Sequence, residues 1–218
     1  MRIGIVAGGP KELLANLLAF QHQIDFWIGA DLGAKYLLDA GIDIHMAVGD
    51  FDSVSVHDKE LIKAATPRFV LYPTEKDETD LELAIRLALE QEPDSIQLFG
   101  VTGGRLDHEL ANIHLLYRLM KRNVFGEIVD HQNQLSLYKS GKYHIKNVHP
   151  GQYISFIPFS QMVKNLTLKG FYYPLDKITI EWGGSTLCIS NQIIDEQGTF
   201  SFTDGILIMI KSVDPLKS

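Results

Sequence analysis

Two aspartates one residue apart, Asp50 and Asp52 in Gly49-Asp50-Phe51-Asp52-Ser53, point most directly to chemistry in this 218-residue chain. On an extended backbone, residues i and i+2 leave the same side with Cα atoms about 7 Å apart, at ~3.3 Å per residue. Carboxylates so placed can share a hard divalent cation such as Mg²⁺, which takes oxygen ligands and commonly bridges one or two carboxylates to substrate phosphates. Asp52-Ser53 also reads as a turn or an N-cap for a helix beginning near Val56. The doubled aspartate beside Asp31 favours the metal, because like charges that converge without a cation repel. Thr79-Asp80 open a helical segment, where a hydroxyl caps and an acid meets the positive end of the helix dipole, so capping alone also accounts for that pair. Lys76 is either a point charge for phosphate oxygens or a solvated loop lysine. Gly103-Gly104 precede a helix, permitting close backbone approach and leaving N–H groups free for an anion. Arg105, His108 and Asn112 then fall at i, i+3 and i+7 on one helix face, either a stripe directed at a ligand or a solvated surface.

From residue 1 to about 122, short β-rich apolar runs alternate with segments of helical period, the pattern of βαβ units and a largely parallel sheet. Strands are predicted at 2–6, 25–30, 45–49, 68–72 and 95–99, and helices near 10–20, 32–40, 56–65, 78–91 and 105–122. In the last helix Leu106, Leu110, Ile113, Tyr117 and Met120 form a stripe assigned to the core. The unusual polar residues repeatedly follow the carboxyl end of a strand, which is where open α/β sheets bind ligands. After a further strand at 126–129 the helical period disappears. Short runs at 135–138, 143–145, 153–157, 163–168, 178–181, 186–189, 199–203 and 206–210 are separated by turn residues such as Ser140-Gly141 and Gly183-Gly184. That spacing predicts a small β-sandwich or barrel. The expected organisation is an α/β domain at 1–130 with a Rossmann-like sheet, followed by an all-β sandwich domain at 131–218.

Composition excludes several classes. With 45% apolar and 22% charged residues, the chain is an ordinary folded protein and not a disordered or fibrous one. A formal charge of −7 supplies no basic field for a polyanion and argues against a nucleic-acid partner. The single cysteine, Cys188, rules out an intrachain disulfide or a Cys-rich zinc site and suits a reducing compartment. No apolar run reaches the ~18 residues of a membrane span, and the N-terminal apolar run meets Gly8-Gly9 too soon for a signal peptide. A cytoplasmic protein with no membrane partner is expected. Gly8-Gly9-Pro10-Lys11 has neither the spacing nor the terminal hydroxyl of a P-loop, and no dinucleotide fingerprint follows the first strand. No nucleophile elbow appears and Cys188 lies far from a base-bearing motif, which argues against covalent catalysis.

Gly29-Ala30-Asp31, Gly49-Asp50-Phe51-Asp52-Ser53, Lys76-Asp77-Glu78-Thr79-Asp80 and Gly103-Gly104-Arg105-Leu106-Asp107-His108, with Asn112 following, resemble the thiamin pyrophosphokinase family in order and spacing over residues 29–112. Ser190-Asn191 and the closing strand at 206–212 carry a thinner likeness into the second half. The resemblance implies transfer of the terminal pyrophosphoryl unit of ATP, the co-substrate, to the hydroxyl of thiamin, giving thiamin diphosphate and AMP with Mg²⁺. It also implies a homodimer with active sites at the subunit interface, between the α/β domain of one subunit and the β domain of the other. Carried over residue by residue, Asp50, Asp52 and Asp80 are the catalytic residues that hold Mg²⁺ and the phosphates. Asp31, Lys76, Thr79, Gly103, Gly104, Arg105, Asp107, His108 and Asn112 line the nucleotide, and Ser190 and Asn191 lie near thiamin. Asp80 or Asp52 accepts or orients the alcohol proton. The chain departs from the pattern at Leu32, where a small residue is expected, and at 205–210, where some relatives offer an aromatic. Trp182 either supplies that ring face or packs in the core. Two other readings use the same residues: a D-x-D metal site of a nucleotide-sugar glycosyltransferase, and a non-catalytic small-molecule-binding dimer.

Overall fold

A computed structural model describes residues 1–73, 77–147, 151–185 and 187–214. The chain divides into two compact units, Met1–His131 and Gln132–Ser218.

The first unit is built on six parallel strands: β1 (Arg2–Val6), β2 (Phe26–Ala30), β3 (Met46–Gly49), β4 (Phe69–Leu71), β5 (Ser95–Phe99) and β6 (Phe125–Val129). Their spatial order is β4-β3-β2-β1-β5-β6. The central strands are buried along almost their whole length, as a sheet covered on both faces requires. Ile3, Ile5, Ile28 and Leu98 are fully buried, each contributing roughly 1.5–3 kcal/mol of transfer free energy. The covering helices are α1 (Leu32–Asp39), α2 (Val56–Ala65), α3 (Asp80–Leu89) and α4 (Leu106–Lys121).

Two expectations fail in this unit. The helix near 10–20 is instead a pair of short 3₁₀ turns, Lys11–Leu13 and Leu17–Phe20. Leu14 is extended at φ −68° and ψ 131°, and the Asn16 side chain accepts the Leu18 N–H at 3.2 Å, starting a new turn. The apolar stripe assigned to the core of α4 is also misplaced. Leu106 and Leu110 are 68% and 53% exposed and Tyr117 is exposed too, while Leu115, Leu116, Leu119 and Met120 are the buried residues of the helix. The helix carries two overlapping apolar faces, and its carboxyl-terminal half packs on β6 with Leu116 and Leu119 over Gly126.

The second unit is antiparallel: β7 (Asn133–Lys146), β8 (Tyr153–Pro158), β9 (Met162–Lys169), β10 (Leu175–Glu181) and β11 (Gln197–Ser212). Runs expected as separate strands are continuous here. β7 and β11 pair along their length, with a register break between Phe202 and Ile206, opposite Ser140. The irregularity bends the ribbon and does not end it. One half of β11 pairs with β8 through Leu207–Ser212 and the other with β9 through Thr199–Asp204, so one ribbon serves both layers of a sandwich-like fold. Phe156, Phe171 and Phe200 fill its core. Of the run expected as a strand at 186–189, residue 186 lies outside the described residues and 187–189 form turns and a bend. Also among the described residues, no helix is long and apolar enough to cross a membrane.

Gly33 shows how tightly α1 seats on the sheet: a Cβ there would lie 1.8 Å from the Val6 carbonyl oxygen. Gly33→Ala should therefore cost about 3 kcal/mol or more through overpacking, read as a lowered urea midpoint. An unchanged midpoint would show that α1 can lift without penalty.

Candidate active site

From β1 the chain steps outward through β2, β3 and β4, then returns to place β5 on the other side of β1. Loops leaving β1 and β5 at their carboxyl ends therefore diverge, and the crevice between them is where such sheets take ligands. A cavity of about 430 Å³ lies there, bordered by Gly8-Gly9 after β1, Asp31 after β2, Asp80 at the head of α3 and Gly103-Gly104-Arg105 after β5. Its volume suits a small molecule. His108 and Asn112 line this cavity and, together with Thr79, also line a second one of about 480 Å³ bordered by Asp107 and Arg118.

Asp31 precedes α1 with φ 48° and ψ −120°, a conformation that costs an L-residue about 1–3 kcal/mol. Its Oδ2 accepts the Ser53 hydroxyl, and its Oδ1 is buried without a hydrogen-bond partner. One carboxylate oxygen from each of Asp31, Asp50 and Asp52 lies within 4.8 Å of the others. An extended backbone does not bring Asp50 and Asp52 together. Phe51 has φ 58°, its ring is buried and stacked on Phe69 at 4.6 Å, and the Asp52 N–H donates to Asp50 Oδ1 at 3.1 Å. A left-handed residue anchored in the core thus folds the aspartates into a turn. Gly49 makes the meeting with Asp31 feasible: its φ is +148°, and a Cβ there would lie 3.2 Å from the Asp31 backbone nitrogen and Cα.

Asp52 and Ser53 do not cap α2. Ser55 does, its hydroxyl accepting the Asp58 N–H at 3.0 Å. The trio is therefore unexplained by local helix chemistry. Converging carboxylates repel one another, and three of them, one with a buried oxygen that has no hydrogen-bond partner, fit a hard divalent cation with oxygen ligands. The converging set includes Asp31 and not Asp80, which borders the cavity beside Asp31. Thr79 is committed to a reciprocal capping box, accepting the Glu82 N–H at 3.2 Å while the Glu82 carboxylate accepts the Thr79 N–H at 3.0 Å. Lys76 lies outside the described residues.

Around Gly103-Gly104 the arrangement differs from the expectation of free N–H groups. The Gly103 N–H donates to the Glu109 carboxylate at 3.1 Å, so a carboxylate stands where an anionic ligand was expected. Asn112 donates to the Val101 carbonyl at 2.8 Å and holds the loop in place. The exposed Arg105 guanidinium bonds the Asp107 carboxylate through Nη2 at 2.6 Å and Nε at 3.2 Å, and this hydrogen bonding is the main cause that holds the Asp107 carboxyl down at about 2. Sequence reasoning missed Gly8-Gly9, which was weighed only as a P-loop although it follows a strand end like every other candidate. It also missed Tyr36, whose hydroxyl donates to the Gly9 carbonyl at 3.0 Å.

Residues 18–125 match the family model described as thiamin pyrophosphokinase, catalytic domain, and residues 142–207 match the one described as thiamin pyrophosphokinase, vitamin B1 binding domain. The chain is 50% identical over 212 residues to the thiamine pyrophosphokinase of Bacillus subtilis, covering 97% of this chain and 99% of that protein. The chain belongs to the thiamin pyrophosphokinase family. The crystal structure of the Bacillus subtilis thiamine pyrophosphokinase aligns with a TM-score of 0.92 at 50% identity, covering 99% of this chain and 100% of that one. The thiamin pyrophosphokinase from Geobacillus thermodenitrificans aligns with a TM-score of 0.88 at 45% identity, covering 99% of each chain.

The second unit, within the span of the vitamin B1 binding model of this family, holds Ser190 and Asn191. Asn191 is 1% exposed, and its amide is used by the backbone: Oδ1 accepts from the Tyr173 and Gln192 N–H groups at 3.0 and 2.9 Å, and Nδ2 donates to the Tyr173 carbonyl at 2.8 Å. Ser190, with φ 54°, is exposed beside it. Trp182 is not core: it lies at a turn after β10, 75% exposed.

The Arg105–Asp107 contact predicts a titration. The depressed carboxyl keeps the pair ionised down through the ordinary carboxylate range, and the pair is lost only as pH falls through about 2. Carbon-13 NMR of the Asp107 carboxyl should show that midpoint, and Arg105→Ala should move it up toward about 3.9. No movement would remove Arg105 as the cause.

Proposed function

We propose that this chain, an enzyme of the thiamin pyrophosphokinase family, transfers the pyrophosphoryl unit of MgATP to the hydroxyl of thiamin at the switch-point cavity, releasing AMP and thiamin diphosphate. The observation that carries the assignment of this site is the convergence of Asp31, Asp50 and Asp52 at the cavity edge that Asp31 lines. A polyanionic nucleotide is not drawn to a chain of net charge −7 presenting clustered carboxylates unless a cation intervenes. Asp31, Asp50 and Asp52 would hold Mg²⁺, which when bound neutralises phosphate charge and orients the phosphates.

The remaining work belongs to the chain's own groups. In phosphoryl transfer an enzyme mainly positions the reactants and stabilises charge. Gly8-Gly9 and Gly103-Gly104 allow the backbone to approach the phosphates, and the Arg105 guanidinium supplies positive charge at the same cavity. Lys76 is the candidate for a further phosphate contact. Thiamin's hydroxyl attacks the β-phosphorus in line with the departing AMP oxygen. Asp80, in the cavity but outside the converging trio, accepts or orients the hydroxyl proton, whereas Asp52 is occupied as a ligand. Ser190 is the member of its pair exposed toward a ligand, with Asn191 holding the loop. A homodimer is part of the same reading, and exposed Leu106, Leu110 and Tyr117 on α4 supply apolar surface for a second copy. A cytoplasmic setting suits buried Cys188, whose thiol is pushed up by that burial.

An assay of MgATP with and without thiamin, with mass detection of products, tests the proposal. AMP and a diphosphorylated thiamin should form only when both substrates are present, and sugar nucleotides should not turn over. Asp52→Asn should lower kcat by about 100-fold while the melting temperature stays within about 2 °C of wild type. Folded protein with Mg²⁺ and both substrates that yields no AMP would overturn the proposal.

A further inference from the structure

We infer that Ser53 is a positioning residue: by donating to Asp31 Oδ2, its hydroxyl fixes the rotation of the Asp31 carboxylate beside Asp50 and Asp52 and thereby sets the cation affinity of the trio. The inference rests on the proposal that these three carboxylates hold the cation. It adds a residue to which composition and spacing assigned only a turn or a cap.

Ser53 has no duty in the helix that follows, because Ser55 takes the N-cap of α2. Its hydroxyl instead crosses to another strand end, 22 residues away in sequence. The Asp31 main chain is fixed independently. Its N–H donates to the Val48 carbonyl at 2.9 Å, α1 starts at the next residue, and Gly49 lies against it. The side-chain torsions of Asp31 are not fixed by those contacts. Among the described residues, the Ser53 hydroxyl is the hydrogen-bond partner of the Asp31 carboxylate, and it engages one oxygen only.

That contact fixes the plane of the carboxylate. A free carboxylate exchanges its oxygens by rotation about its last torsion. With Oδ2 held, that rotation is stopped while one Asp31 oxygen lies within 4.8 Å of oxygens of Asp50 and Asp52. A donated hydrogen bond also places positive hydrogen charge beside one of three mutually repelling anions. Groups that orient metal ligands in this way typically change metal affinity by 10- to 100-fold when removed. The turn Gly49–Ser53 thus supplies two ligands and also orients the third from β2.

Mn²⁺ is a suitable probe, with binding to the full-length chain followed by loss of the free-ion electron paramagnetic resonance signal. Wild type, Ser53→Ala, Ser53→Thr, Ser53→Val and Asp50→Asn should be compared. Ser53→Ala and Ser53→Val should weaken Mn²⁺ binding by about 10- to 100-fold, and Ser53→Thr should stay within about threefold of wild type. In turnover, the Ala variant should need more Mg²⁺ and approach the wild-type kcat at saturation. Thr and Val share one shape, so their difference reports the hydroxyl even if Ala perturbs folding. Equal Mn²⁺ affinity for Thr and Val variants would overturn the role of Ser53, and Asp50→Asn, if still weakened, would leave the cation reading standing. Wild type that binds no Mn²⁺, or Asp50→Asn that binds it unchanged, would overturn both.

Discussion

Three carboxylates with oxygens within 4.8 Å of one another repel, and the carboxyl-terminal edge of the parallel sheet is organised to hold them there. β2 and β3 are neighbours, with Ala30 opposite Val48, so their ends start side by side. The strained backbone at Asp31 and the left-handed Phe51 each act against the local preference of the chain. Burial offsets this. The Phe51 ring is 2% exposed and stacked on Phe69, and a buried aromatic of that kind contributes roughly 1.5–3 kcal/mol. Lys59 secures the turn from α2, donating to the Asp50 carbonyl at 3.0 Å with its ammonium 5.6 Å from the Phe51 ring centroid. The turn that carries the aspartates is thus held by apolar packing and by a bond to its backbone.

The same division appears on the other side of the switch point. Tyr36 and Asn112 are polar residues of helices, yet each ends on a loop carbonyl, Gly9 and Val101, and so fixes the two glycine-containing walls of the cavity. Glu109 accepts the Gly103 N–H on the same wall. The cavity thus has carboxylates along one edge and, along the other, glycine backbone with the Arg105 guanidinium. This arrangement connects the acidic balance of the chain to the chemistry of its family.

Much of this architecture was legible in sequence because period and punctuation are local. The strand–helix alternation, the parallel sheet, the change to antiparallel strands and the gathering of polar residues at strand ends all depend on short windows. What was not legible depends on partners distant in sequence. The stripe of α4 has two candidate faces, and contact with β6 decides between them. Ser140-Gly141 reads as a turn until β11 lies opposite with its irregularity, whereupon it becomes part of a bend in one long strand. Asp50 and Asp52 were expected on extended backbone, since alternation is the rule beside a strand, and the left-handed Phe51 follows from a pocket that Phe69 completes. Gly8-Gly9 was set aside for lacking a motif, although its position at a strand end was the better guide.

Several motifs supported both a structural and a functional reading, and the structure shows why neither prevailed in sequence: adjacent polar residues divide the two tasks. Ser55 caps α2 while Ser53 reaches Asp31. Asn191 is buried and satisfied by backbone, while Ser190 beside it is exposed. A site assembled from strand-end loops needs both kinds of residue, because loop backbone lacks ladder partners and must be tied by side chains before a neighbouring group can be aimed. Polar side chains of similar chemistry serve both purposes, so residue type cannot separate them. Their separate directions from the backbone can.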